Sequence, residues 1–138
     1  MKLPLRIPGL LTLAVLALVL PACKSGSNTP AAPPAGGGGT PVMTASVTAT
    51  GSNTFTPSLV DLLVGGTVTF SNGTGLHNVN ADGSVSFRCA VGCDGQGGNG
   101  DPTAENWTFT ITFPSAGTTT YVCDEHADVG MSGRIVVQ

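Results

Sequence analysis

Residues 120–133 read "TYVCDEHADVGMSG" and set a thiol, an imidazole and a thioether in the spacing C-x2-H-x4-M, as Cys123, His126 and Met131. All three groups bind soft or borderline metals. The chain has only two histidines, and the second, His77, stands in "GLHNV". Apart from the initiator, its methionines are Met43 and Met131. Two imidazoles and a thiolate in a trigonal set, with a thioether as a long axial ligand, specify a type 1 (blue) copper site. Zinc fits less well, because thioether binds it poorly and structural zinc sites are richer in cysteine. A histidine such as His77, taken singly, is more often a strand residue with a satisfied hydrogen bond. The set of four is what carries chemistry. Asp124, Glu125 and Asp128 crowd the same loop and make its surroundings acidic.

The cysteines sharpen this reading. They are Cys23, Cys89, Cys93 and Cys123. Cys89 and Cys93 lie four apart in "RCAVGCDG", close enough to pair if the backbone turns there. That pairing leaves Cys123 as an odd thiol, which metal coordination would protect as thiolate. Pairing of Cys123 with Cys89 or Cys93, or a second metal site at the Cys89/Cys93 pair, stays open at this point. An oxidising compartment is indicated by the N-terminus. Lys2 and Arg6 precede a 12-residue apolar run, Gly9 to Leu20, too short to span a bilayer comfortably and suited to the core of a secretory signal. The run ends in "LPAC", which resembles a bacterial lipobox. That resemblance implies cleavage after Ala22, lipidation of Cys23, and a protein held in the bacterial cell envelope. An ordinary cleaved signal is the alternative.

These ligands need strands to hold them. Only 9% of residues are charged, and the strong helix formers Glu, Lys, Gln and Arg are scarce beside Gly, Ser, Thr and Val. Residues 1–22 are expected to be a signal peptide. Residues 23–41 would be the lipidated N-terminus and a flexible Gly/Pro/Ala linker, since "KSGSNTPAAPPAGGGGTP" cannot bury a core. Residues 42–138 form the domain. There "VMTASVTAT", "SLVDLLV", "TVTFSN", "LHNVNA", "SVSFR", "NWTFTITF", "TTTYVC" and "GRIVVQ" are short candidate strands, with Gly65–Gly66 expected to turn the second into the third. In "NWTFTITF", Trp107, Phe109, Ile111 and Phe113 share one face and the threonines the other. The pattern predicts an all-β, two-sheet Greek-key sandwich. Residues 94–105 read as a surface loop with one helical turn near Thr103.

"FTPSL", "GGTVTF", "LHNV", "YVCDEH" and "GMSGRIVV" resemble the cupredoxins, in particular their plastocyanin and pseudoazurin branch, over residues 42–138. The resemblance implies a mononuclear type 1 copper with His77, Cys123, His126 and Met131 as ligands, and one-electron transfer between proteins. It also implies that Asn78 bonds the residue after the cysteine. That residue is Asp124 here, where relatives commonly carry a neutral hydroxyl. The Cys89/Cys93 pair is outside the general pattern of the family and is expected to staple the long loop.

Composition narrows the partners. With five Lys and Arg in all there is no basic patch for nucleic acid. Loss of residues 1–22 removes Lys2 and Arg6, leaving three basic against eight acidic residues, formally −5. An acidic monomer with acid beside its metal loop predicts a redox partner with a basic surface, such as a cytochrome c. Membrane contact would come through the lipid anchor. A copper enzyme is disfavoured, because one copper uses both histidines. A periplasmic copper chaperone or buffer is the alternative to the electron carrier, since Cys and Met also suit Cu(I).

Overall fold

The computed structural model describes residues 39–93 and 100–138. Its strands are β1 (Val42–Thr50), β2 (Thr54–Thr56), β3 (Leu59–Asn72), β4 (Val79–Gly83), β5 (Phe87–Cys89), β6 (Thr108–Thr112), β7 (Gly117–Val122) and β8 (Ser132–Val137). A single 3₁₀ turn, Ala127–Val129, lies between the last two.

The alternation in the sequence becomes burial. Trp107, Phe109, Ile111 and Phe113 are buried, while Thr108, Thr110 and Thr112 between them are exposed. Phe70 of β3 is fully buried and stands at the centre of the core. Its ring lies 5.4 Å from Phe109, 5.7 Å from Phe87 and 5.3 Å from Tyr121, so one side chain joins rings from β5, β6 and β7. Burial of a Phe is worth about 1.5–3 kcal/mol before such ring contacts are added.

β3 departs from the expected pair of strands. Its hydrogen bonding continues from Leu59 to Asn72, through both glycines. The partners change across them. Leu59–Leu62 pairs in parallel with β8, whereas Thr67–Ser71 pairs antiparallel with β6 and in parallel with β1. β8 leads away from Met131, and β1 ends at Thr50, whose carbonyl meets His77. The register with β1 jumps there, from Val42 opposite Leu62 to Thr44 opposite Thr67, so the glycines bulge a continuous strand where the sequence had suggested a turn between two. Gly65 has φ +82°, which L side chains rarely adopt. The bulge is pinned from two sides, because Val64 N–H donates to the Gln138 carbonyl and Gly65 N–H to that of Phe113.

The sandwich follows from that strand. The hydrogen-bonded path is continuous, β2-β1-β3-β8-β7-β4-β5 with β6 also on β3, and β3 joins its two sides: β1 and β6 pair with its second half, β8 with its first. β2 was not evident in the sequence, being three residues before Pro57. The helical turn expected near Thr103 is overturned. Thr103 is extended and pairs with His77, each N–H donating to the other's carbonyl at 3.1 Å. The ends of β1, β3 and β7 thus meet the beginnings of β4, β6 and β8 at one end of the sandwich. That end holds the site.

Candidate metal centre

Cys123 follows directly on β7 and Met131 directly precedes β8, so an antiparallel pair delivers both to one place. The loop between them is closed by bonds among the candidate ligand residues themselves. His126 N–H donates to the Cys123 carbonyl, Met131 N–H to that of His126, and Cys123 N–H to that of Met131, each at 3.1 Å. The backbones that carry the three side chains are thereby fixed relative to one another.

His77 comes from the other side, just before β4. Its backbone is tied to Thr103, and its carbonyl also accepts from Trp107 Nε1 at 3.2 Å. Its Nε2 lies 3.0 Å from the Thr50 carbonyl and donates to it. That bond places the proton on Nε2 and leaves the Nδ1 lone pair facing the Cys123 sulfur, 3.7 Å away. Gly75 lies against the ring: a Cβ there would come within 2.5 Å of Nε2, and its φ of +113° is also disfavoured for other residues. Burial pushes the His77 imidazole below its ordinary pKa, outweighing the opposing bond to Thr50. A neutral imidazole is the form that binds metal.

His126 Nδ1 lies 3.5 Å from the same sulfur, and the two imidazole rings are 5.0 Å apart. One nitrogen of each ring and the thiol all lie within 4.8 Å of one another. His77, Cys123 and Met131 are buried, and His126 is partly exposed. A buried thiol facing two imidazole nitrogens, beside a buried thioether residue, fits copper by the chemistry of its donors.

Asn78 and Asp124 also meet. Asp124 N–H donates to Asn78 Oδ1 at 2.8 Å, and Asn78 Nδ2 donates back to Asp124 Oδ2 at 2.7 Å. Cys89 and Cys93 are disulfide-bonded, which leaves Cys123 as the free thiol of the described residues. Cys23, the leader and the linker up to residue 38 lie outside the described residues, as do residues 94–99 of the loop.

Several supporting groups were not evident in the sequence. The Thr50 carbonyl is one. Asn72 is another: its buried Nδ2 donates to the carbonyls of Gly75 (3.1 Å), Thr103 (3.4 Å) and Glu105 (2.9 Å), holding together the segments on either side of His77. Asn80 and Arg88 donate to Asp124. Burial opposes charge on Asp124, but the bonds from Asn80, Asn78 and Arg88, with the Arg88 charge, outweigh it and hold the carboxyl below its usual range. The one available signal for Arg88 was scarcity, since few cations are shared among many acids.

Residues 42–138 match the family described as copper binding proteins, plastocyanin/azurin family, and the chain belongs to it. It is a cupredoxin, and copper is the metal of that family. Chloroplastic plastocyanin of Tetradesmus obliquus is 30% identical over 89 residues, which cover 64% of this chain and 61% of that protein; the match thus spans less than two thirds of the relative's length. Oxidised plastocyanin from Dryopteris crassirhizoma shares the fold, with a TM-score of 0.52 and 21% identity over 67% of this chain and 99% of that one. A mutant fern plastocyanin gives the same values.

Proposed function

We propose that this chain is a one-electron carrier of the bacterial cell envelope, monomeric, anchored through lipid on Cys23, and exchanging electrons with a protein partner. The observation that carries the reading is the convergence of His77, Cys123 and His126, with Met131 buried and tied to the same loop. Bound there, copper would supply a Cu(I)/Cu(II) couple. The chain's own part is to hold the four ligands still, which the bonds among Cys123, His126 and Met131 and the double tie of His77 do. A site so braced suits repeated redox change better than metal hand-over, which favours the carrier over the chaperone or buffer. No catalytic role is proposed, since both histidines serve one site.

His126 is the partly exposed ligand, so its ring edge is the exit for electrons. Leu76, next to His77 in the chain, and Val129, in the turn after His126, are exposed, and exposed Glu125 and Asp128 lie in the same loop. Apolar contact with an acidic rim suits a transient complex with a basic surface such as that of a cytochrome c. Loaded with Cu(II), the protein should show an intense thiolate-to-copper band that reductant bleaches and oxidant restores. Its electron exchange with a basic cytochrome should slow as the Debye length shrinks from about 30 Å at 0.01 M salt to about 10 Å at 0.1 M. A colourless protein that releases its metal would favour the buffer, and a salt-independent rate would remove the acidic docking face. The anchor has its own check. Cys23→Ser should move the protein from the membrane to the soluble fraction of the cells that produce it.

A further inference from the structure

Asp124 does more than bond Asn78. Its Oδ1 accepts from Asn80 Nδ2 at 2.8 Å, and its Oδ2 accepts from both Asn78 Nδ2 and Arg88 Nε, the latter at 2.9 Å. Arg88 Nη1 continues outward to Asp101 Oδ1 at 2.9 Å. Asn78 Nδ2 also donates to the Gly100 carbonyl at 2.6 Å. The residue bonded directly to Cys123 is therefore held by β4, by β5 and, through Arg88 and Asn78, by residues 100–101.

The register puts Arg88 in place. β4 and β5 pair with Asn80 opposite Arg88 and Val79 opposite Cys89. Asn80 in turn lies opposite Val122 of β7. Arg88 is the residue before Cys89, which the disulfide ties to Cys93, so a covalent closure sits next to the one cation facing Asp124. Arg88 and Asp124 are well covered for a surface pair, at 42% and 28% side-chain exposure, whereas Asp101 is 93% exposed.

We infer that Arg88 and Asp124 form a positioning pair for the metal centre, in which the guanidinium both fixes the Cys123 end of the ligand loop and offsets the carboxylate beside the thiolate. The inference rests on the copper reading above and adds a role for the disulfide-bearing segment. Its electrical consequence has a definite sign. A carboxylate left without its cation favours the more positive metal state, Cu(II). Loss of the Asp124 carboxylate, with Arg88 still held by Asp101, removes negative charge beside the metal and favours Cu(I).

The test compares wild type, Arg88→Met, Arg88→Lys, Asp124→Asn and the Arg88→Met/Asp124→Asn double variant, all loaded with Cu(II). Each is poised against a redox buffer while the thiolate-to-copper band is read. Arg88→Met should shift the Cu(II):Cu(I) ratio several-fold toward Cu(II), and Asp124→Asn several-fold toward Cu(I). The double variant should fall between them, and Arg88→Lys should stay nearer wild type than Arg88→Met. Circular dichroism of the metal-free forms reports folding independently, and Arg88→Lys serves if Arg88→Met does not fold, with a smaller shift toward Cu(II). Shifts of Arg88→Met and Asp124→Asn in the same direction, or no shift in either, would overturn the pair as an electrostatic device and leave the copper reading standing. A wild type without the band would overturn both.

Discussion

Cys123→Ser should abolish the visible thiolate-to-copper band and lower copper affinity by more than about 100-fold, because partners one shell further out are alone worth about 10- to 100-fold in metal proteins. The argument rests on what the sulfur alone supplies. A serine hydroxyl does not ionise near neutral pH and is a hard donor, so it offers neither the charge nor the softness that the two imidazoles lack. The fold should survive the change. Cys123 is buried, but the Leu76 carbonyl lies 3.9 Å from its sulfur and can accept from a hydroxyl placed nearby. A lost or poorly made hydrogen bond would cost about 1–3 kcal/mol. Calorimetric copper titration with visible spectra of both proteins checks this. A serine variant that keeps the band would remove Cys123 from the ligand set.

Asn72→Leu should damage both the fold and the metal centre, although Asn72 is not among the candidate ligands. Its amide spans three carbonyls, and removing it leaves those of Gly75 and Glu105 without that donor, while Thr103 keeps its bond from His77; Gly75 and Glu105 are exposed, so water replaces part of what is lost. A hydrogen bond whose acceptor water can reach nets about 0.5–1.5 kcal/mol, so loss of the two should cost about 1–3 kcal/mol of folding free energy. A second effect follows on the metal. Gly75 lies against the His77 ring and Thr103 holds its backbone, so loosening both lets the imidazole wander and weakens copper binding. Asn72→Asp should be at least as costly, since it keeps the shape but turns a carboxylate toward carbonyl oxygens. Chemical denaturation of the metal-free proteins measures the first effect and copper titration the second. A leucine variant as stable as wild type would show that the carbonyls find other donors.

The ligands were legible because the chain is poor in them. With two histidines and one odd thiol, the spacing C-x2-H-x4-M left few alternatives, and strand alternation around Trp107 and Phe109 fixed which face turned inward. Its supports were hidden for a physical reason. Arg88 reaches Asp124 only because β5 pairs with β4 in one register, and a shift of one residue would turn Arg88 to the other face. Asn72 and the Thr50 carbonyl act through loops that no period marks. Thr103 misled because its surroundings, rich in Asp, Pro and Thr, resemble the start of a helix. Pairing with His77 overrode that local preference.

The bond from His77 to Thr50 has a mechanical side. Thr50 is the last residue of β1, and the chain enters that strand from Gly39 at its other end. A pull on the N-terminal side would load β1 along its length, against a row of bonds to β3 running from Thr44 to Ala49. Those bonds share the load in shear, so the near end must give before the far end moves. The carbonyl that steadies His77 sits behind the whole row, which shields that bond from a pull applied at the start of β1.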